Sequence, residues 1–415
     1  MLIAPAASGA ATQGAQDERT VAGAPGVTLG PKGAAFYRPP ARLGPGEHGD
    51  LIWARPIKAP AGAAAWKVLY RSELADGKPV AVSGFIAAPT GAPPKRGRPV
   101  VAWAHGTEGI GTNCAPSLAP NPARDLVDYF TYQSRFQQDV GVPALTDLLK
   151  AGYVVAATDY QGLGTPGVAQ YAVSSAQAKN VFDSVLAAQG LPAGAGSSIV
   201  TFGWSQGGGA AIWAGQDPSY APSLKLLGIA ALAPESDTGP QAAGQVPPGP
   251  VTATSPSHAA AIRLNLYQGF AATYPELDPA DVVSPAGMSA YRGAGRQCVN
   301  HLAYVINNNV TDLAALFQPT TPADWLQRFN ENTAGMVANT APQLVMQGTA
   351  DTVINPNSTA QYVARACAFG KPLQFSTYEG ATHQTIPYVA ETEYLGWIAD
   401  RFAGKAPPSN CQAAG

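Results

Sequence analysis

Short apolar runs alternate with helix-like segments over most of the chain. Runs that lack polar alternation are typical of parallel strands that are covered on both faces. Helical spacing of apolar residues is clearest over residues 170–188 and again at Leu395, Ile398 and Phe402 near the C-terminus. This rhythm predicts an α/β fold with a mostly parallel central sheet flanked by helices. The predicted strands are residues 99–104, 153–157, 198–204, 226–232, 343–346 and 373–378.

The N-terminal part of the chain has a different pattern. Residues 65–74 and 80–88 are joined by a turn-prone segment with Asp76 and Gly77, which predicts an antiparallel pair at the start of the sheet. The first 34 residues are rich in Ala, Gly and Pro and predict a flexible leader. The leader lacks the basic start and the long apolar region of a signal peptide. We therefore expect either a truncated export signal followed by the mature start, or an ordinary disordered tail.

The segment Gly203-Trp204-Ser205-Gln206-Gly207 matches the pattern G-x-S-x-G. It ends a predicted strand and leads into a helix with a small-residue face. A serine at such a turn is lifted above the edge of the sheet, at the positive end of the following helix. We therefore interpret Ser205 as a candidate nucleophile.

A nucleophilic serine needs a base, and the base needs a carboxylate that orients it. Of the five histidines, His383 follows the last predicted strand and precedes the last helix, which is where this fold class carries its base. Asp351, in the loop after the strand at 343–346, is the expected carboxylate, with Glu379 and Asp400 as alternatives. An Asp that only caps its own turn is the structural alternative. The order serine, aspartate, histidine is that of the α/β-hydrolases.

Two loops are expected to supply the hydrogen-bond donors of an oxyanion hole. One donor is the backbone N–H of Gln206 at the start of the helix. The other comes from residues 106–109, after the strand that ends at His105, with Thr107 as the first choice and Glu108 as the second. Glycines on both sides would let this backbone approach a substrate, although an ordinary glycine turn is the alternative.

Several segments resemble the secretory lipase family, the α/β-hydrolases similar to fungal lipase A. The resemblance runs from about residue 49 to residue 411. It implies a Ser-Asp-His ester hydrolase with a large cap inserted before the strand that leads to the catalytic aspartate. The oxyanion loop departs from lipase A, which has an acidic residue there without a His-Gly pair. The matching segments are Ala102-Trp103-Ala104-His105-Gly106-Thr107-Glu108-Gly109, Asn113-Cys114-Ala115-Pro116-Ser117, Thr158-Asp159-Tyr160-Gln161-Gly162-Leu163-Gly164, the elbow at Ser205, and the loops with Asp351 and His383.

The strand–helix rhythm stops between about residues 235 and 341, where no good buried strand occurs. A stretch rich in Pro and Gly is followed there by helix-like segments, which predict a helical cap, or lid, over the active site. The α/β-hydrolase domain is then expected over residues 35–415, interrupted by this cap. Most apolar cap residues are expected to pack in the cap's own core, and the others would line an acyl pocket. Their helical faces are Ile262, Leu266 and Phe270, then Leu302, Val305 and Ile306, then Trp325, Leu326 and Phe329.

Four cysteines allow three disulfide pairings. A bond between Cys367 and Cys411 would fasten the C-terminal tail, and Cys114 and Cys298 would then join the oxyanion loop to the insertion. The resemblance supports this pattern and a secreted or periplasmic location, because lipase A-like enzymes are secreted and disulfide-bonded. Four reduced, buried thiols are the alternative. No Cys-x-x-Cys or His-x-x-x-His spacing predicts a metal site.

Composition narrows the class of partner. The net charge is −2, only 13% of residues are charged and no basic run occurs, so nucleic acid is not an expected partner. No apolar stretch reaches the roughly 18 residues that a membrane-spanning helix needs. We expect a small-molecule or lipid ester as the substrate and no cofactor, and transient contact with a lipid interface is compatible with this interpretation.

These features predict a serine ester hydrolase, a lipase or carboxylesterase, that acts through an acyl-enzyme on Ser205. Its expected substrates are acylglycerols or other hydrophobic esters. A serine peptidase or a polyester or aromatic-ester hydrolase would use the same triad. A non-catalytic binding protein on this fold would usually lack a triad member, and all three candidates are present.

Overall fold

A nine-stranded sheet forms the centre of the molecule. The computed structural model describes residues 20–127, 139–247, 249–250 and 256–411. The central strands are built from runs rich in Val, Ile and Ala, and some of them are buried at every residue. In chain order the strands are β1 (Thr20–Val21), β2 (Ala24–Thr28), β3 (Leu51–Ile57), β4 (Ala63–Glu73), β5 (Pro79–Pro89), β6 (Arg98–Ala104), β7 (Val154–Thr158), β8 (Ala195–Trp204), β9 (Lys225–Leu232), β10 (Gln343–Gly348) and β11 (Leu373–Tyr378).

The strands of the large sheet lie in the order β11-β10-β9-β8-β6-β7-β5-β4-β3. The six from β11 to β7 are parallel to one another. At the other edge, β5, β4 and β3 pair in antiparallel fashion, with β5 joined to β7. The predicted fold class is therefore confirmed, including the antiparallel pair at the start of the sheet.

Helices cover both faces of the sheet because alternate residues of a strand point to opposite sides. Val100 of β6 packs in the same core cluster as Val181. Its neighbour Val101 packs in the opposite cluster, with Trp397. Among the described residues, no helix is both long and apolar enough to cross a membrane. The α-helices in the described part of the chain are α1 (Leu145–Lys150), α2 (Ser174–Gln189), α3 (Gln206–Gln216), α4 (Thr238–Ala242), α5 (Pro256–Thr273), α6 (Met288–Ala294), α7 (Val299–Asn309), α8 (Ala323–Glu331), α9 (Pro356–Cys367), α10 (Ile386–Val389) and α11 (Glu391–Phe402).

The insertion between β9 and β10 is helical, as predicted, and contains α4 to α8. Four of its aromatic side chains, Tyr267, Phe270, Trp325 and Phe329, are buried together. The ring centroids are 4.7 Å apart for Phe270 and Phe329 and 5.3 Å apart for Tyr267 and Trp325. Edge-to-face contacts of this kind add stability beyond the area that they bury. The cap therefore has its own aromatic core.

Residues 20–34 differ from the flexible leader that the sequence predicts. β1 and β2 pair as an antiparallel hairpin, and Val21 and Ala24 are buried in the main core cluster. Leu29 then forms a bridge to Ala54 of β3. The prediction is wrong for this segment because small residues and glycines do not prevent backbone pairing where neighbouring side chains such as Val21 and Ala24 can be buried. The rest of the predicted leader, residues 1–19, lies outside the described residues.

Two further differences from the sequence prediction concern local structure. β3 is not predicted because a charged residue and a proline interrupt its apolar pattern, and most of its residues are only half-buried. The helix expected from Gln170 begins instead at Ser174. Ala172 has a left-handed φ of 57°, which breaks a helix, and the Gln170 side chain accepts a hydrogen bond from a distant backbone N–H.

Two disulfide bonds join distant parts of the chain, in the pairing that the resemblance supports. Cys114 is bonded to Cys298 and Cys367 to Cys411. The first bond attaches the loop after β6 to the start of α7 in the cap. The second attaches the C-terminal tail to the end of α9, beside the edge strand β11.

Removal of the second disulfide should destabilise the protein without affecting the site. Replacement of Cys367 by Ala together with Cys411 by Ser opens a cross-link that spans 44 residues. We expect the free energy of unfolding to fall by about 2–4 kcal/mol, because the unfolded chain gains conformational freedom. Urea denaturation, monitored by tryptophan fluorescence, measures this change. An unchanged denaturation midpoint would contradict the expectation.

Candidate active site

Ser205 lies on a tight turn between β8 and α3, at the carboxyl end of the strand. Its φ of 59° and ψ of −122° fall in a region that residues other than glycine seldom occupy. The neighbouring glycines provide space: a Cβ on Gly203 would lie 2.0 Å from the carbonyl oxygen of Gly207, and one on Gly207 would lie 1.9 Å from that of Ala104. The strain therefore lies on the serine itself, and the glycines allow the turn to pack closely against β6.

Side chains from three loops meet at Ser205, each loop following the carboxyl end of a parallel strand. Nε2 of His383 lies 2.9 Å from Ser205 Oγ, and Nδ1 of the same ring lies 2.8 Å from Asp351 Oδ2. All three residues are buried. The indole N–H of Trp204 donates to the carbonyl oxygen of His383 at 3.2 Å and fixes the loop that carries it. The structure thus brings together the three residues selected from the sequence, in an arrangement that can pass a proton from the hydroxyl to the imidazole.

The hydrogen bonds of Asp351 hold its carboxylate in one orientation. Oδ1 accepts from the backbone N–H groups of Val353 and Ile354 at 2.9 and 2.8 Å. Oδ2, which faces His383, also accepts from the side-chain amide of Gln347 at 3.1 Å. Asp351 therefore caps its own turn, the alternative considered from sequence, and contacts the imidazole with its other oxygen.

The two alternative carboxylates lie elsewhere. Glu379 is exposed on the turn after β11. Asp400, on α11, forms an ion pair with Lys405 at 2.6 Å. The carboxylate that the structure brings to the imidazole of His383 is that of Asp351.

The loop after β6 lies directly beside Ser205. A Cβ placed on Gly106 would be 3.6 Å from the Cβ of Ser205. Thr107, Ser205 and Gln206 line the same cavity, and within the described part of the chain the backbone N–H groups of Thr107 and Gln206 have no hydrogen-bond acceptor. The Thr107 hydroxyl is hydrogen-bonded to that of Tyr171 at 2.7 Å, which holds the loop in place. Two backbone donors are therefore available near the hydroxyl.

Glu108, the second choice for the oxyanion hole, contacts the cap through its backbone and the segment before α1 through its side chain. Its carbonyl oxygen accepts from the N–H of Val299 at 2.8 Å, and its carboxylate accepts from the N–H of Asp139 at 3.0 Å. The cavity beside Ser205 is lined by Thr107 and not by Glu108. This position favours Thr107 over Glu108 as the donor.

The segment that begins at Asp159 supports this loop. Its buried carboxylate accepts hydrogen bonds from the Ser83 hydroxyl at 2.6 Å and from the N–H of Ser117 at 2.9 Å. The carbonyl oxygen of Asp159 lies 3.2 Å from Nε2 of His105. Burial raises the pKa of Asp159 and lowers that of His105, since each loses hydration of its charged form. Asp159 and His105 therefore hold the loop after β6 in place.

A cavity of about 430 Å³ lies between the sheet and the cap. Ser205 and Gln206 form part of its floor, and Ile262 and Leu266 of α5 supply apolar wall. A concave site of this size and mixed lining is typical of a small-molecule pocket.

Three ionisable side chains of the cap region also line this cavity, and sequence reasoning missed them as functional candidates: Glu235, His258 and Arg263. Burial and the nearby His383 lower the pKa of His258 to about 4, so its ring is neutral. Burial, with a smaller contribution from Asp237, raises the pKa of Glu235 to about 7. No motif marks these residues, because their position depends on how the cap docks. The one available signal is that Glu235 follows β9, the strand next to β8, which leads to Ser205.

Replacement of Glu235 by Gln should change how stability depends on pH. Since the pKa of Glu235 is raised from 4.5 to about 7 on folding, wild type loses unfolding free energy as the pH rises between those values. Glu235→Gln cannot titrate and does not show this loss. The melting temperature of the variant minus that of wild type should therefore increase from about pH 4.5 to pH 7 and stay constant above pH 7. Melting curves across this range test the prediction, with the exposed Glu379→Gln as the control. A constant difference between wild type and Glu235→Gln would contradict it.

The remaining histidines lie away from this site. Nδ1 of His48 lies 2.6 Å from a carboxylate oxygen of buried Asp183, and its ring contacts that of Tyr220 at 4.3 Å. This hydrogen bond raises the pKa of His48. His301 is half-buried on α7. Among the described residues, no group of His, Cys, Asp and Glu is arranged to hold a metal ion.

Comparisons with known proteins give a consistent result. A family model described as secretory lipase matches residues 133–410. Lipase 5 of Candida albicans is 25% identical to the chain over 413 residues, which cover 92% of this chain and 83% of that protein. Lipase A of Moesziomyces aphidis is 23% identical over 407 residues, which cover 91% of this chain and 81% of that protein.

Solved structures share the fold. The crystal structure of Candida antarctica lipase A matches with a TM-score of 0.72 and 19% identity, over 91% of this chain and 87% of that one. The rice cell wall degrading esterase LipA of Xanthomonas oryzae matches with a TM-score of 0.65 and 17% identity, over 86% of this chain and 98% of that one. The two disulfides and the secretory description of the matching family indicate a secreted protein. Because the family model covers more than half of the chain, the protein belongs to the secretory lipase family and is a carboxylic ester hydrolase.

Proposed function

We propose that this protein hydrolyses carboxylic esters through a covalent acyl-enzyme on Ser205. The observation that carries the proposal is the hydrogen-bonded line from Ser205 through His383 to Asp351. Ser205, at one end of this line, forms part of the floor of a cavity with room for an acyl group. Membership of the secretory lipase family supports an ester as the substrate.

In the first half of the reaction, Nε2 of His383 removes the proton of the Ser205 hydroxyl while the oxygen attacks the ester carbonyl carbon. Asp351 accepts the Nδ1 proton of the ring throughout, which keeps Nε2 free to act as the base and stabilises the imidazolium that forms. The imidazolium then gives its proton to the leaving alkoxide. The alcohol departs, and the acyl group remains on Ser205.

In the second half, water takes the place of the alcohol. His383 removes a proton from the water as its oxygen attacks the acyl carbon, and then returns that proton to Ser205 as the acid is released. The same residues act in both halves, so every bond formed to Ser205 is broken again. One ester and one water give one alcohol and one carboxylic acid.

The negative charge that develops on the carbonyl oxygen needs donors that are already in place. We assign this role to the backbone N–H groups of Gln206 and Thr107, which line the cavity beside Ser205. Gln206 is the first residue of α3, where the helix dipole also favours an anion. The hydrogen bond between Thr107 and Tyr171 keeps the second donor from turning away.

The cap, at about residues 235–341, would be an insertion within a single hydrolase domain. It would cover the acyl group of the bound substrate. Its contribution to the cavity includes Ile262, Leu266 and Phe329, which suit an apolar chain. Relatives in the comparison carry the name lipase. Acylglycerols and other hydrophobic esters are therefore the substrate class that we propose.

Hydrolysis of p-nitrophenyl esters from acetate to palmitate tests this function, with p-nitroanilides of the same acyl groups as the comparison. We expect release of p-nitrophenol well above the buffer blank for at least part of the series. The expected rates with the anilides are far lower, because the proposed site has no assigned partner for an amine leaving group. Faster cleavage of anilides than of esters, or no esterase activity at any chain length, would overturn the proposal.

A further inference from the structure

The cavity above Ser205 contains a cation that the ester hydrolysis described above does not use. Arg263 lies on α5 of the cap, is half-buried and lines the same cavity as Ser205 and Gln206. Its immediate neighbours on the helix, Ile262 and Leu266, are apolar and also line the cavity. A fixed positive charge in this position costs hydration and needs an explanation.

The guanidinium of Arg263 is held by aromatic groups. Its Nε donates to the hydroxyl of Tyr267 at 2.6 Å. The guanidinium carbon lies 4.2 Å from the ring centroid of Phe317 and 5.3 Å from that of Tyr267. These contacts fix the plane of the group and leave both terminal NH₂ groups outside the hydrogen bond to Tyr267. A planar group with two parallel donors is the geometry that binds a carboxylate in bidentate fashion.

Arg263 has no acidic partner among the described residues. The ion pairs in the described part of the chain do not include it. Glu235 lines the same cavity, but its carboxylate accepts from the Thr238 hydroxyl at 2.7 Å. The groups that shift the pKa of Glu235 are Thr238 and Asp237, besides burial, and Arg263 is not one of them. Arg263 and Glu235 therefore line the same cavity without forming an ion pair.

We propose that the cavity binds esters whose acyl group carries a second, free carboxylate, with Arg263 as the partner of that carboxylate. Monoesters of dicarboxylic acids are the chemical class. This inference rests on the function proposed for Ser205, since the ester carbonyl must reach the nucleophile while the distal carboxylate reaches α5. The reaction is the same hydrolysis, and its products are an alcohol and a dicarboxylate. Apolar lining between the two ends suits the methylene chain that joins them.

The proposal is tested with mono-p-nitrophenyl esters of glutarate, adipate and suberate, which carry a free carboxylate. The comparison substrates are p-nitrophenyl esters of monocarboxylic acids of the same chain length, which are neutral. The quantity measured is the ratio of kcat/KM for the anionic ester to that for its neutral partner. We expect Arg263→Met to lower this ratio by about 10- to 100-fold for the chain length that fits best, which is typical for loss of hydrogen bonds to a charged group. Arg292→Met is the matched control, because Arg292 is exposed on α6 of the same cap and its loss removes the same charge. The control should leave the ratio at the wild-type value.

An equal ratio in wild type and Arg263→Met, or an equal fall in Arg292→Met, would overturn the inference. Hydrolysis of the neutral esters by wild type separates this failure from failure of the proposed function, which would abolish both activities. A second measurement uses only the wild-type protein, so its result does not depend on whether Arg263→Met folds. Free adipate should inhibit neutral-ester hydrolysis by wild type at lower concentration than hexanoate, and inhibition by hexanoate at equal or lower concentration would also overturn the inference.

Discussion

Replacement of Ser205 by alanine is expected to lower kcat for ester hydrolysis by about 10⁴- to 10⁶-fold. The variant lacks the oxygen that forms the acyl-enzyme. The imidazole of His383, which lies 2.9 Å from this oxygen in wild type, then has no hydroxyl to deprotonate. Some catalysis should survive, because the N–H groups of Gln206 and Thr107 can still polarise a bound carbonyl. Steady-state rates with the best p-nitrophenyl ester give the size of the loss.

A matched substitution distinguishes this loss from a general effect of removing a buried hydroxyl. Ser184 is also fully buried, but it lies on α2 and donates to the carbonyl oxygen of Val181. Ser184→Ala should therefore affect stability and leave the rate near that of wild type. If Ser205→Ala kept most of the wild-type esterase activity, another residue would have to be the nucleophile.

Asp351→Asn is expected to lower kcat by about 10³- to 10⁴-fold while the protein stays folded. The two backbone N–H groups of Val353 and Ile354 require an oxygen at the Oδ1 position, so the new amide nitrogen must replace Oδ2. That nitrogen would then face Nδ1 of His383 and the amide of Gln347 with hydrogens of its own. His383 would adopt the tautomer with a proton on Nε2, which cannot act as the base.

Asp400→Asn is the control for this prediction, since Asp400 is the alternative carboxylate near the C-terminal helix. Its ion pair with Lys405 is exposed, and loss of such a pair has little effect on stability or rate. The assignment of Asp351 would fail if Asp400→Asn reduced kcat more than Asp351→Asn. Circular dichroism of both variants establishes that the fold is retained.

The arrangement around Ser205 could be predicted from the sequence because topology determines it. The carboxyl ends of parallel strands lie on the same side of a sheet. The loops after β8, β10 and β11 are therefore close together whatever their detailed conformation. The order of Ser205, Asp351 and His383 along the chain places each on one of these loops. The apolar runs that mark the strands are long enough to be recognised without any information on contacts.

The polar residues of the cavity could not be predicted in this way. Glu235, His258 and Arg263 lie where the strand–helix rhythm stops, and their approach to Ser205 depends on how the cap packs. Packing of this kind is set by contacts between residues far apart in the chain, such as the Cys114–Cys298 bond, and leaves no periodic pattern. The role of Gly203 and Gly207 also follows from the structure and not from the sequence. The positive φ is that of Ser205, and the two glycines supply only space.

Chemical trapping of the nucleophile tests the assignment of Ser205 most directly. A p-nitrophenyl alkylphosphonate reacts with an activated serine and leaves a stable phosphonyl ester, which mass spectrometry of the digested protein assigns to a residue. We predict one adduct per chain, on Ser205, formed in parallel with loss of esterase activity and absent from Ser205→Ala. An adduct on a different residue that accompanies the loss of activity would contradict the account.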